Sequence, residues 1–552
     1  MDCRNAALIA VVISAFSASG CAAQGGQGAT NMWTLARQNE GLFRFSTLFT
    51  AQNVRDHLST EEGLGQAIDW CKATAVTHVY LESFRNNYTA DRAVLERARD
   101  AFRREGFLVS GCVTTTQVGK TSTGWRIIDC YTNEPTRARL AEIFAYAASM
   151  FDEIMIDDFL FTDCECKDEC EPARGDRSWA DYRCDLMLDV SRHFILEPAR
   201  RANPNVKVII KYPQWYDNFH VRGYDVARET EAFDKIWVGT ETRDYADRRW
   251  GGTVQYEAYF IMRWLGAIGG DKCGGGWFDP YGTTEATYVE QARQTILADA
   301  KEAVLFCYGS LQDGTGPANV RTFRTEVPGY FDLARLVRGQ PLTGVHTCKP
   351  PSSDPGPEAR VFDFVGMLGI PLDPRPGIDT TARSAFFSVH ALKDPDLKRK
   401  LSTMVSDGAQ VLLTSNLADA LGKDLDRTRP NVHVIDIKYK SAAEGQRGPL
   451  DWDAFMAMPQ ADLDRLRDAM LAPLGATFRA PAKVALYLIG RSAVVENFND
   501  EPIDASLTMA HMRGARGVLT LPVDASVKCD VEENTATLRL PPRSLLAIAL
   551  GP

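Results

Sequence analysis

One pattern of apolar and polar positions repeats through the first 340 residues: a short apolar run, a polar loop, and an amphipathic stretch with helical periodicity. Continuous apolar runs of this length are typical of parallel strands buried on both faces. The apolar runs lie at residues 42–49, 77–83, 106–113, 152–157, 206–212, 233–240, 274–280 and 303–309. The amphipathic stretches lie at residues 61–75, 90–105, 135–150, 179–201, 221–232, 254–268, 285–300 and 319–338. Eight strand–helix units in about 300 residues predict a (β/α)8 barrel, placed at residues 41–345; the alternative is a doubly wound open sheet.

The pattern changes after the barrel region. Residues 346–357 are rich in Pro and Ser and predict a linker. Residues 358–470 alternate short strands with helices and resemble a truncated flavodoxin-like or amidotransferase-like domain. No Cys stands on a strand–helix turn there, so amidotransferase chemistry is not expected. Residues 471–552 alternate apolar and polar positions between turn signals, which predicts a β-sandwich. The expected fold class is α/β: a TIM barrel, a small α/β domain and a C-terminal β-sandwich.

The N-terminal segment predicts export. Residues 6–17 are apolar but too short to span a bilayer, and small residues follow up to Cys21. This pattern is typical of a lipoprotein signal over residues 1–23, with Cys21 as the lipidated residue; cleavage by ordinary signal peptidase near Ala23 is the alternative. Residues 24–40 predict a flexible tether. Both alternatives place the protein in the periplasm or at the outer-membrane surface, and the lipid anchor is the only membrane contact expected.

Composition narrows the class of partner. The chain has 552 residues, 45% hydrophobic and 24% charged, which is globular composition, and its formal net charge of -10 disfavours a nucleic-acid partner. It contains 13 cysteines. Because Cys3 leaves with the signal and Cys21 would carry lipid, an odd number remains, and these cannot all pair within one chain.

Candidate site residues follow from the predicted barrel, because reactive side chains gather at the carboxyl ends of its strands. Strand 4 ends with Asp157 and Asp158, and strand 6 ends with Glu241. These are the candidate catalytic carboxylates, with Asp279 at the end of strand 7 in reserve. The candidate substrate-binding residues at the other strand ends and loops are Glu82, Trp125, Lys211, Tyr212, Trp215, Arg243 and Trp277.

The rim combines carboxylates and aromatic rings with few histidines, a mixture that suits sugar chemistry. A glycosidase needs one carboxylic acid to protonate the leaving oxygen and one carboxylate to attack or to activate water. Strand 1 lacks the His-x-His of metal-dependent amidohydrolases. A single Asp at a strand end is also commonly a helix N-cap or the partner of an Arg, so the conjunction of acids on strands 4 and 6 carries the prediction. Since neighbouring side chains alternate in direction, only one of Asp157 and Asp158 can point at the barrel axis.

An Asp at the end of strand 4 with an acid at the end of strand 6 resembles the retaining α-galactosidase clan. The resemblance implies that Asp157 or Asp158 is the nucleophile and that Glu241 is the general acid/base. The lysine-flanked motif that is typical of that clan is absent before this Asp pair.

A second resemblance rests on the cysteines and the layout. Cys164, Cys166 and Cys170 follow strand 4, and Cys130 lies in the loop after strand 3. A barrel, an amidotransferase-like domain and a small β-domain, with a cysteine zinc cluster after strand 4, is the layout of the bacterial β-galactosidases that form trimers. This resemblance implies structural zinc at the four cysteines and a homo-oligomer. Short spacings bring the four sulfurs of a tetrahedral site together; disulfides, one of them using Cys184, and free thiols are the alternatives.

The sequence therefore predicts an exported glycoside hydrolase that acts on O-glycosyl bonds of an oligo- or polysaccharide, without a catalytic cofactor. Two alternatives of other classes remain. A carbohydrate-binding surface lipoprotein would keep the aromatic residues without needing two opposed acids. A scaffold that uses the barrel only for assembly would have no acid-rich cleft at the strand ends.

Overall fold

The structure is a computed structural model that describes residues 31–247, 253–440 and 451–551. The predicted signal at 1–23 and Cys21 lie outside the described residues, so export and lipidation stay predictions. The tether predicted over 24–40 is wrong in its second half, because Met32–Asn39 is a helix. The Asn31 side chain accepts from the Trp33 N–H at the start of that helix, and the Trp33 ring packs 4.6 Å from Phe107. Both contacts fix a segment that composition alone described as flexible.

A closed barrel of eight parallel strands forms the first part of the fold. The strands are β1 Arg44–Phe49, β2 Val76–Arg85, β3 Leu108–Val113, β4 Glu153–Ile156, β5 Lys207–Tyr212, β6 Lys235–Gly239, β7 Cys273–Phe278 and β8 Glu302–Leu305. Each strand pairs with its neighbours in chain order, and β1 pairs with both β2 and β8, which closes the sheet. The predicted (β/α)8 barrel is confirmed, and the open sheet is excluded.

Helices surround the barrel and begin where the chain offers a capping side chain. Thr60, Asp91 and Asn133 each accept from a backbone N–H of the first helical turn, as these residue types do at N-caps. The helices are Met32–Asn39, Ala51–His57, Glu61–Ala73, Arg92–Arg104, Glu134–Ala148, Cys170–Arg174, Trp179–Val190, Glu197–Ala202, Phe219–Arg222, Val226–Ala232, Glu257–Gly269, Glu285–Leu297 and Gly316–Val337, with a π-helical turn at Ser191–Leu196.

The barrel interior is packed rather than hollow. Inward side chains from alternating positions form a separate apolar cluster, which includes Tyr80, Met155, Ile209, Trp237 and Trp277. Because this floor is solid, the inward side chains at the carboxyl ends of the strands lie above it, at the mouth of the barrel. The mouth is therefore where the strand-end acids meet.

A five-stranded parallel sheet forms the small α/β domain. Its strands are β9 Val345–Cys348, β10 Leu372–Arg375, β11 Ser384–Phe387, β12 Gln410–Thr414 and β13 Val432–Ile435, in the order β10-β9-β11-β12-β13. Its helices are Val361–Met367, Leu397–Ser406, Ser415–Leu421, Trp452–Met456 and Gln460–Leu471. This order is that of flavodoxin-like sheets. The linker predicted at 346–357 is wrong at its start, because β9 is a buried inner strand and the Pro-rich turn comes only after it.

This domain packs against the barrel loop that follows β5. Asp217 of that loop accepts from His390 Nε2 at 2.8 Å, and its other oxygen accepts from the Arg360 N–H at 2.8 Å. The Arg360 guanidinium also pairs with Glu257 of the barrel at 2.7 Å. The small domain thereby anchors the loop on which Trp215 lies.

Two antiparallel sheets form the C-terminal sandwich. One contains Val484–Ile489, Ser492–Asn497, Ser544–Ala549 and Arg516–Leu521; the other contains Ala476–Arg479, Ile503–Met509, Thr535–Leu540 and Lys528–Glu532. The short strand Leu342–Thr343, just after the barrel, pairs with the first sheet. The predicted fold class is confirmed. Within the described ranges, no helix is both long and apolar enough to cross a membrane.

Candidate active site

Three carboxyl groups converge on one lysine at the mouth of the barrel. Lys211, near the end of β5, places its Nζ 2.7 Å from Asp158 Oδ2 and 2.6 Å from Glu241 Oε1. The same nitrogen lies 3.7 Å from Asp157 Oδ1. The strand 4 pair and the strand 6 acid, which the sequence places 83 residues apart at Asp158 and Glu241, are thus neighbours.

Asp157 is the member of the pair that is held in place. Its Oδ2 accepts from Arg85 Nη2 at 2.6 Å and lies 3.2 Å from Thr114 Oγ1, and its Oδ1 accepts from the Asp158 N–H at 2.8 Å. Burial alone would raise the pKa of Asp157, but the positive charges of Arg85 and Lys211 outweigh burial and hold that pKa below its usual value. Asp157 is therefore an ionised, fully engaged carboxylate.

Asp158 faces the mouth. Its side chain retains 17% exposure, whereas that of Asp157 retains 3%. The Tyr224 hydroxyl donates to the Asp158 backbone carbonyl at 2.9 Å and fixes the turn after β4. Burial raises the pKa of Asp158, and the charge of Asp157 raises it further against the opposing effect of Lys211. Asp158 is the strand 4 acid that a substrate can reach.

Glu241 follows β6 and has one oxygen without a partner. Its Oε1 accepts from Lys211, while its buried Oε2 has no hydrogen-bond partner among the described residues. Gly239 makes room for this carboxyl group, because a Cβ at that position would lie 2.5 Å from Oε2. Burial raises the pKa of Glu241 to about 8, with Lys211 opposing the rise and Asp158 and Asp279 adding to it. A buried oxygen without a partner is less costly when it carries a proton, so Glu241 is poised as an acid.

Lys211 is a buried cation between these acids. Only 1% of its side chain is exposed, and its Nζ lies 4.4 Å from the centre of the Trp277 ring. Burial alone would lower the pKa of Lys211, but the charges of Asp158, Glu241 and Asp157 raise it, so the group stays charged. Trp277 is buried in the barrel floor and supports the ammonium rather than presenting a free face to substrate.

Asp279 is engaged elsewhere. Arg243 holds both of its oxygens, through Nε at 3.1 Å and Nη2 at 2.7 Å. Arg243 itself has a positive φ of 57°, and the Gln291 amide oxygen accepts from its backbone N–H. Since Glu241, and not Asp279, shares Lys211 with Asp158, the candidate acid stays on strand 6.

Glu82 and Tyr212 do not serve as the sequence predicts. Glu82 is fully buried and accepts from the Ala51 N–H at 2.7 Å and from Arg85 Nε at 2.8 Å, so it anchors a helix start and an arginine. Tyr212 is fully buried outside the barrel, where its hydroxyl lies 3.3 Å from Thr230 Oγ1. Strand alternation explains the correction: Lys211 points inward, so Tyr212 must point outward.

Trp125 and Trp215 lie beside the mouth. Trp125 is 49% exposed and stacks on Phe161 at 6.1 Å, while the half-buried Trp215 meets the edge of Phe161 at 5.2 Å. Phe161 follows Asp158 by three residues, so these rings are continuous with the loop that carries Asp158. Sequence reasoning did not single out Phe159, Phe161 or Tyr224, because apolar residues at loop positions carry no signal of their own.

The four cysteines converge, as predicted. Cys130, Cys164, Cys166 and Cys170 are buried, and their sulfurs all lie within 4.8 Å of one another. Three sulfur–sulfur distances are 3.8 Å (Cys130–Cys166), 3.6 Å (Cys130–Cys170) and 3.4 Å (Cys166–Cys170). Tetrahedral zinc with Zn–S of about 2.3 Å requires sulfurs about 3.8 Å apart, so this donor set fits zinc. The described cysteines, including Cys184, are all unpaired.

Arg85 and Thr114 are further site residues that the sequence did not indicate. Arg85 lies beyond the predicted end of strand 2, which in the structure continues to that residue. Its guanidinium joins Glu82 to Asp157, and Thr114 Oγ1 donates to Glu82 and lies near Asp157. Every position of that strand except the last is buried, but the polar residues Glu82 and Ser83 near its end conceal the extension to Arg85 in the sequence.

Comparisons with known proteins identify a family and a shared fold. Residues 30–353 match the model of a family described as "Probable glycosyl hydrolase, catalytic domain". An uncharacterised protein of Saccharolobus solfataricus is 25% identical over 376 residues. The match covers 60% of this chain and 60% of the length of that curated relative.

Solved structures are similar in fold. The GH42 β-galactosidase Gan42B matches with a TM-score of 0.58 and 10% identity, over 93% of this chain and 98% of that chain. A catalytic mutant of Gan42B from G. stearothermophilus matches with a TM-score of 0.57 and 10% identity, over 93% and 99%. At this identity the likeness shows the shared fold alone.

Proposed function

The chain belongs to the family of probable glycosyl hydrolase catalytic domains, and from this membership we propose that it cleaves a glycosidic bond with retention of configuration. In this proposal Asp158 is the nucleophile and Glu241 the general acid/base. The prediction of a glycoside hydrolase is confirmed by the family. The roles of the individual acids and the stereochemistry are the proposal.

One observation carries it: Lys211 Nζ holds an oxygen of Asp158 and an oxygen of Glu241 at 2.7 and 2.6 Å. The distance between those two oxygens cannot exceed the sum of these values. The carboxyl pair of a retaining enzyme stands about 5–5.5 Å apart, and that of an inverting enzyme about 6.5–9.5 Å, which leaves room for a water. The short separation supports direct attack by Asp158.

In the first step, an Asp158 oxygen forms a bond to the anomeric carbon while the bond from that carbon to the leaving oxygen breaks. Glu241 Oε2 donates its proton to that oxygen. In the second step, Glu241 takes a proton from water as the water oxygen bonds to the anomeric carbon, and the bond to Asp158 breaks. Lys211 stays protonated throughout and stabilises the ionised Asp158.

Asp157 is assigned a positioning role. Its two oxygens are occupied by Arg85, Thr114 and the Asp158 N–H, and its side chain is almost fully buried. Its negative charge offsets the positive charges of Arg85 and Lys211. It therefore orients Asp158 without reaching the substrate.

The stereochemical outcome tests this proposal. We expect proton NMR of the first turnovers on nitrophenyl glycosides to show a product sugar with the anomeric configuration of the substrate, before mutarotation. The assay uses α- and β-nitrophenyl glucoside, galactoside, mannoside and xyloside, so that both anomers of four sugars are sampled. An inverted first product would contradict the nucleophilic role of Asp158.

We also propose that the four cysteines hold one zinc ion that fixes the walls of the mouth. The fit of the sulfur distances supports this, as does the burial of all four side chains. Zinc at this place would take no part in catalysis and would tie the loop after β3 to the loop after β4.

Elemental analysis measures the metal directly. We expect about one zinc per chain in the wild type and well below half of that in Cys166→Ser, because a structural site needs all four ligands. Cys184→Ser is the matched control, since its buried sulfur lies outside the cluster near the His220 carbonyl, and it should keep its zinc. Zinc-free wild-type protein in which mass spectrometry finds bridged cysteines would establish the disulfide alternative.

Export and the lipid anchor at Cys21 stay proposals that rest on the sequence pattern, and the homo-oligomer stays a proposal that rests on the resemblance in layout. The arrangement of the acids favours an enzyme over the carbohydrate-binding and scaffold alternatives, because three converging carboxyl groups around a buried lysine are costly to maintain without a chemical use.

A further inference from the structure

We propose that an aromatic ledge beside the catalytic acids binds a sugar ring beyond the one that is cleaved, which makes oligosaccharides the preferred substrate class. The ledge comprises Trp125, Phe159, Phe161 and Trp215. This inference rests on the proposed function for the cleavage itself, but the ledge can be tested by binding alone.

The ledge presents an unusual exposed surface. Trp125 is 49% exposed, although tryptophan is normally well buried. Its ring stacks on Phe161 with an interplanar angle of 27°, and Phe159 lies 5.8 Å away. The outer face of Trp125 therefore stays open and flat while its inner face is supported. An exposed ring that packing holds in one orientation marks a binding surface more than a gap in the core.

The ledge is continuous with the catalytic loop, and this position indicates that its ligand is the next sugar ring of the substrate. Phe159 directly follows Asp158 in the chain. Tyr224 connects the two structures, because its hydroxyl donates to the Asp158 carbonyl at 2.9 Å and its ring lies 5.9 Å from Phe161 and 5.6 Å from Trp215. A substrate whose anomeric carbon lies at Asp158 would extend its next ring towards this surface. The apolar face of a pyranose ring matches a flat aromatic face.

Asp163 positions the exposed tryptophan. Its carboxylate accepts from the Trp125 N–H at 3.1 and 3.0 Å and from Ser122 Oγ at 2.5 Å, and it pairs with Arg222. Gly124 permits this close approach, since a Cβ there would collide with the Asp163 carboxylate. The turn that carries Trp125 is therefore built around one acid.

The cysteine cluster lies directly behind this acid. Cys164 follows Asp163 in the chain, and Thr123 Oγ1, next to Gly124, lies 3.8 Å from the Cys164 sulfur. The Thr123 hydroxyl also accepts from the Glu165 N–H at 2.8 Å. The cluster thus supports the Thr123 side of the Trp125 turn, which gives the four cysteines a consequence for specificity as well as for stability.

Two variants and a control test the ledge. The probes are β-1,4-linked tetraoses of glucose, mannose, xylose and galactose, α-1,4-linked glucose tetraose, and the nitrophenyl monoglycosides of the same sugars. For the tetraose that the wild type cleaves best, we expect Trp125→Ala to lower kcat/KM about tenfold, mainly through KM. The loss of kcat/KM on the monoglycoside should be clearly smaller than the loss on the tetraose. Asp163→Asn should also lower kcat/KM more on the tetraose than on the monoglycoside, with a smaller loss than Trp125→Ala.

Trp33→Ala is the matched control. It removes another partly exposed tryptophan, but from the helix that packs on Phe107 at the start of β3, at the opposite end of the barrel. It should leave the ratio of the two kcat/KM values unchanged. Equal losses on both substrates in Trp125→Ala, or no loss on the tetraose, would overturn the ledge.

Calorimetric binding separates this inference from the catalytic proposal. If the wild type hydrolyses none of the probes but binds a tetraose that Trp125→Ala fails to bind, the proposed function fails and the ledge stands. If the wild type neither cleaves nor binds any tetraose, the ledge is wrong. If it cleaves tetraoses and Trp125→Ala binds and cleaves them like the wild type, the ledge is wrong and the proposed function stands.

Discussion

Glu241→Gln is expected to lower kcat about 10²- to 10⁴-fold on oligosaccharides, whose leaving groups need a proton. Activity on nitrophenyl glycosides should fall much less in the first step, because nitrophenolate leaves without protonation. Azide should then raise the rate on these substrates, since it attacks the glycosyl-enzyme without the general base that glutamine cannot replace. The product in azide should be the glycosyl azide with the configuration of the substrate.

The pH profile of kcat/KM gives a second measurement of the same residue. The acid form of Glu241 is the active form, and burial raises its pKa to about 8. Activity of the wild type should therefore be present below that pH and be lost as pH rises through about 8. Glutamine does not titrate, so this basic limb should disappear in Glu241→Gln.

Glu290→Gln is the matched control for the pH profile. Glu290 is also buried, with a pKa raised by burial to about 7, but it pairs with Arg543 where the barrel meets the sandwich. Its variant should keep the wild-type basic limb. A profile that loses the limb in Glu290→Gln, or keeps it in Glu241→Gln, would remove Glu241 from the acid role.

The alternation of apolar and polar runs was sufficient to predict the barrel. Each of its strands overlaps a predicted apolar run, because a parallel strand covered on both faces needs an almost continuous run of apolar residues. Barrel geometry then placed Asp158 and Glu241 at one mouth without any structure. The position along the strand is local information that the chain carries directly.

The direction of a side chain at a strand end, by contrast, cannot be predicted from the neighbouring residues alone. Lys211 and Tyr212 are adjacent and equally suited to a sugar site, yet only Lys211 faces the mouth. Its direction depends on the register of β5 against β6, where Lys211 pairs with Trp237. Likewise, Asp279 and Glu241 have similar positions in the sequence, and only the long-range contact of Asp279 with Arg243 separates their roles.

The cysteine cluster depends both on local spacing in the sequence and on a long-range contact. The spacing of Cys164, Cys166 and Cys170 predicts that three sulfurs meet. Cys130 joins them from 34 residues earlier in the chain, and its contribution followed from resemblance rather than from spacing. Asp163, which links the cluster to Trp125, was not predicted from the sequence, because acidic residues are common in loops and carry no specific signal of a role.

Asp158→Asn and Asp157→Asn are expected to differ sharply, although the two residues are adjacent and carry the same group. Asp158→Asn should lower kcat on nitrophenyl glycosides about 10⁴-fold or more, the order seen when a hydrolase loses its covalent nucleophile. Its fold should be retained, because Asp158 is partly exposed and Lys211 keeps Glu241 and Asp157 as partners.

Asp157→Asn should lower the stability of the protein more than its activity. It leaves Arg85 with Glu82 as its remaining ion-pair partner, and breaking a buried ion pair costs about 3–5 kcal/mol. Its Tm should therefore fall clearly, while kcat should fall only about tenfold, because Asp158 can still attack. Differential scanning calorimetry and steady-state kinetics on the same preparations separate the two effects.

Trapping the covalent intermediate identifies the nucleophile independently of rates. A 2-fluoro glycoside that inactivates the wild type should label the peptide that contains Asp158. Asp157→Asn should still be labelled at that residue, because it retains the attacking carboxylate, and Asp158→Asn should not be labelled. Labelling of Asp157 instead would move the nucleophile to the buried acid and would require Arg85 to release it before attack, since Arg85 and Thr114 both contact its Oδ2. Near-normal kcat in both variants would mean that neither strand 4 acid takes part, and the charge of Lys211 would then need another explanation.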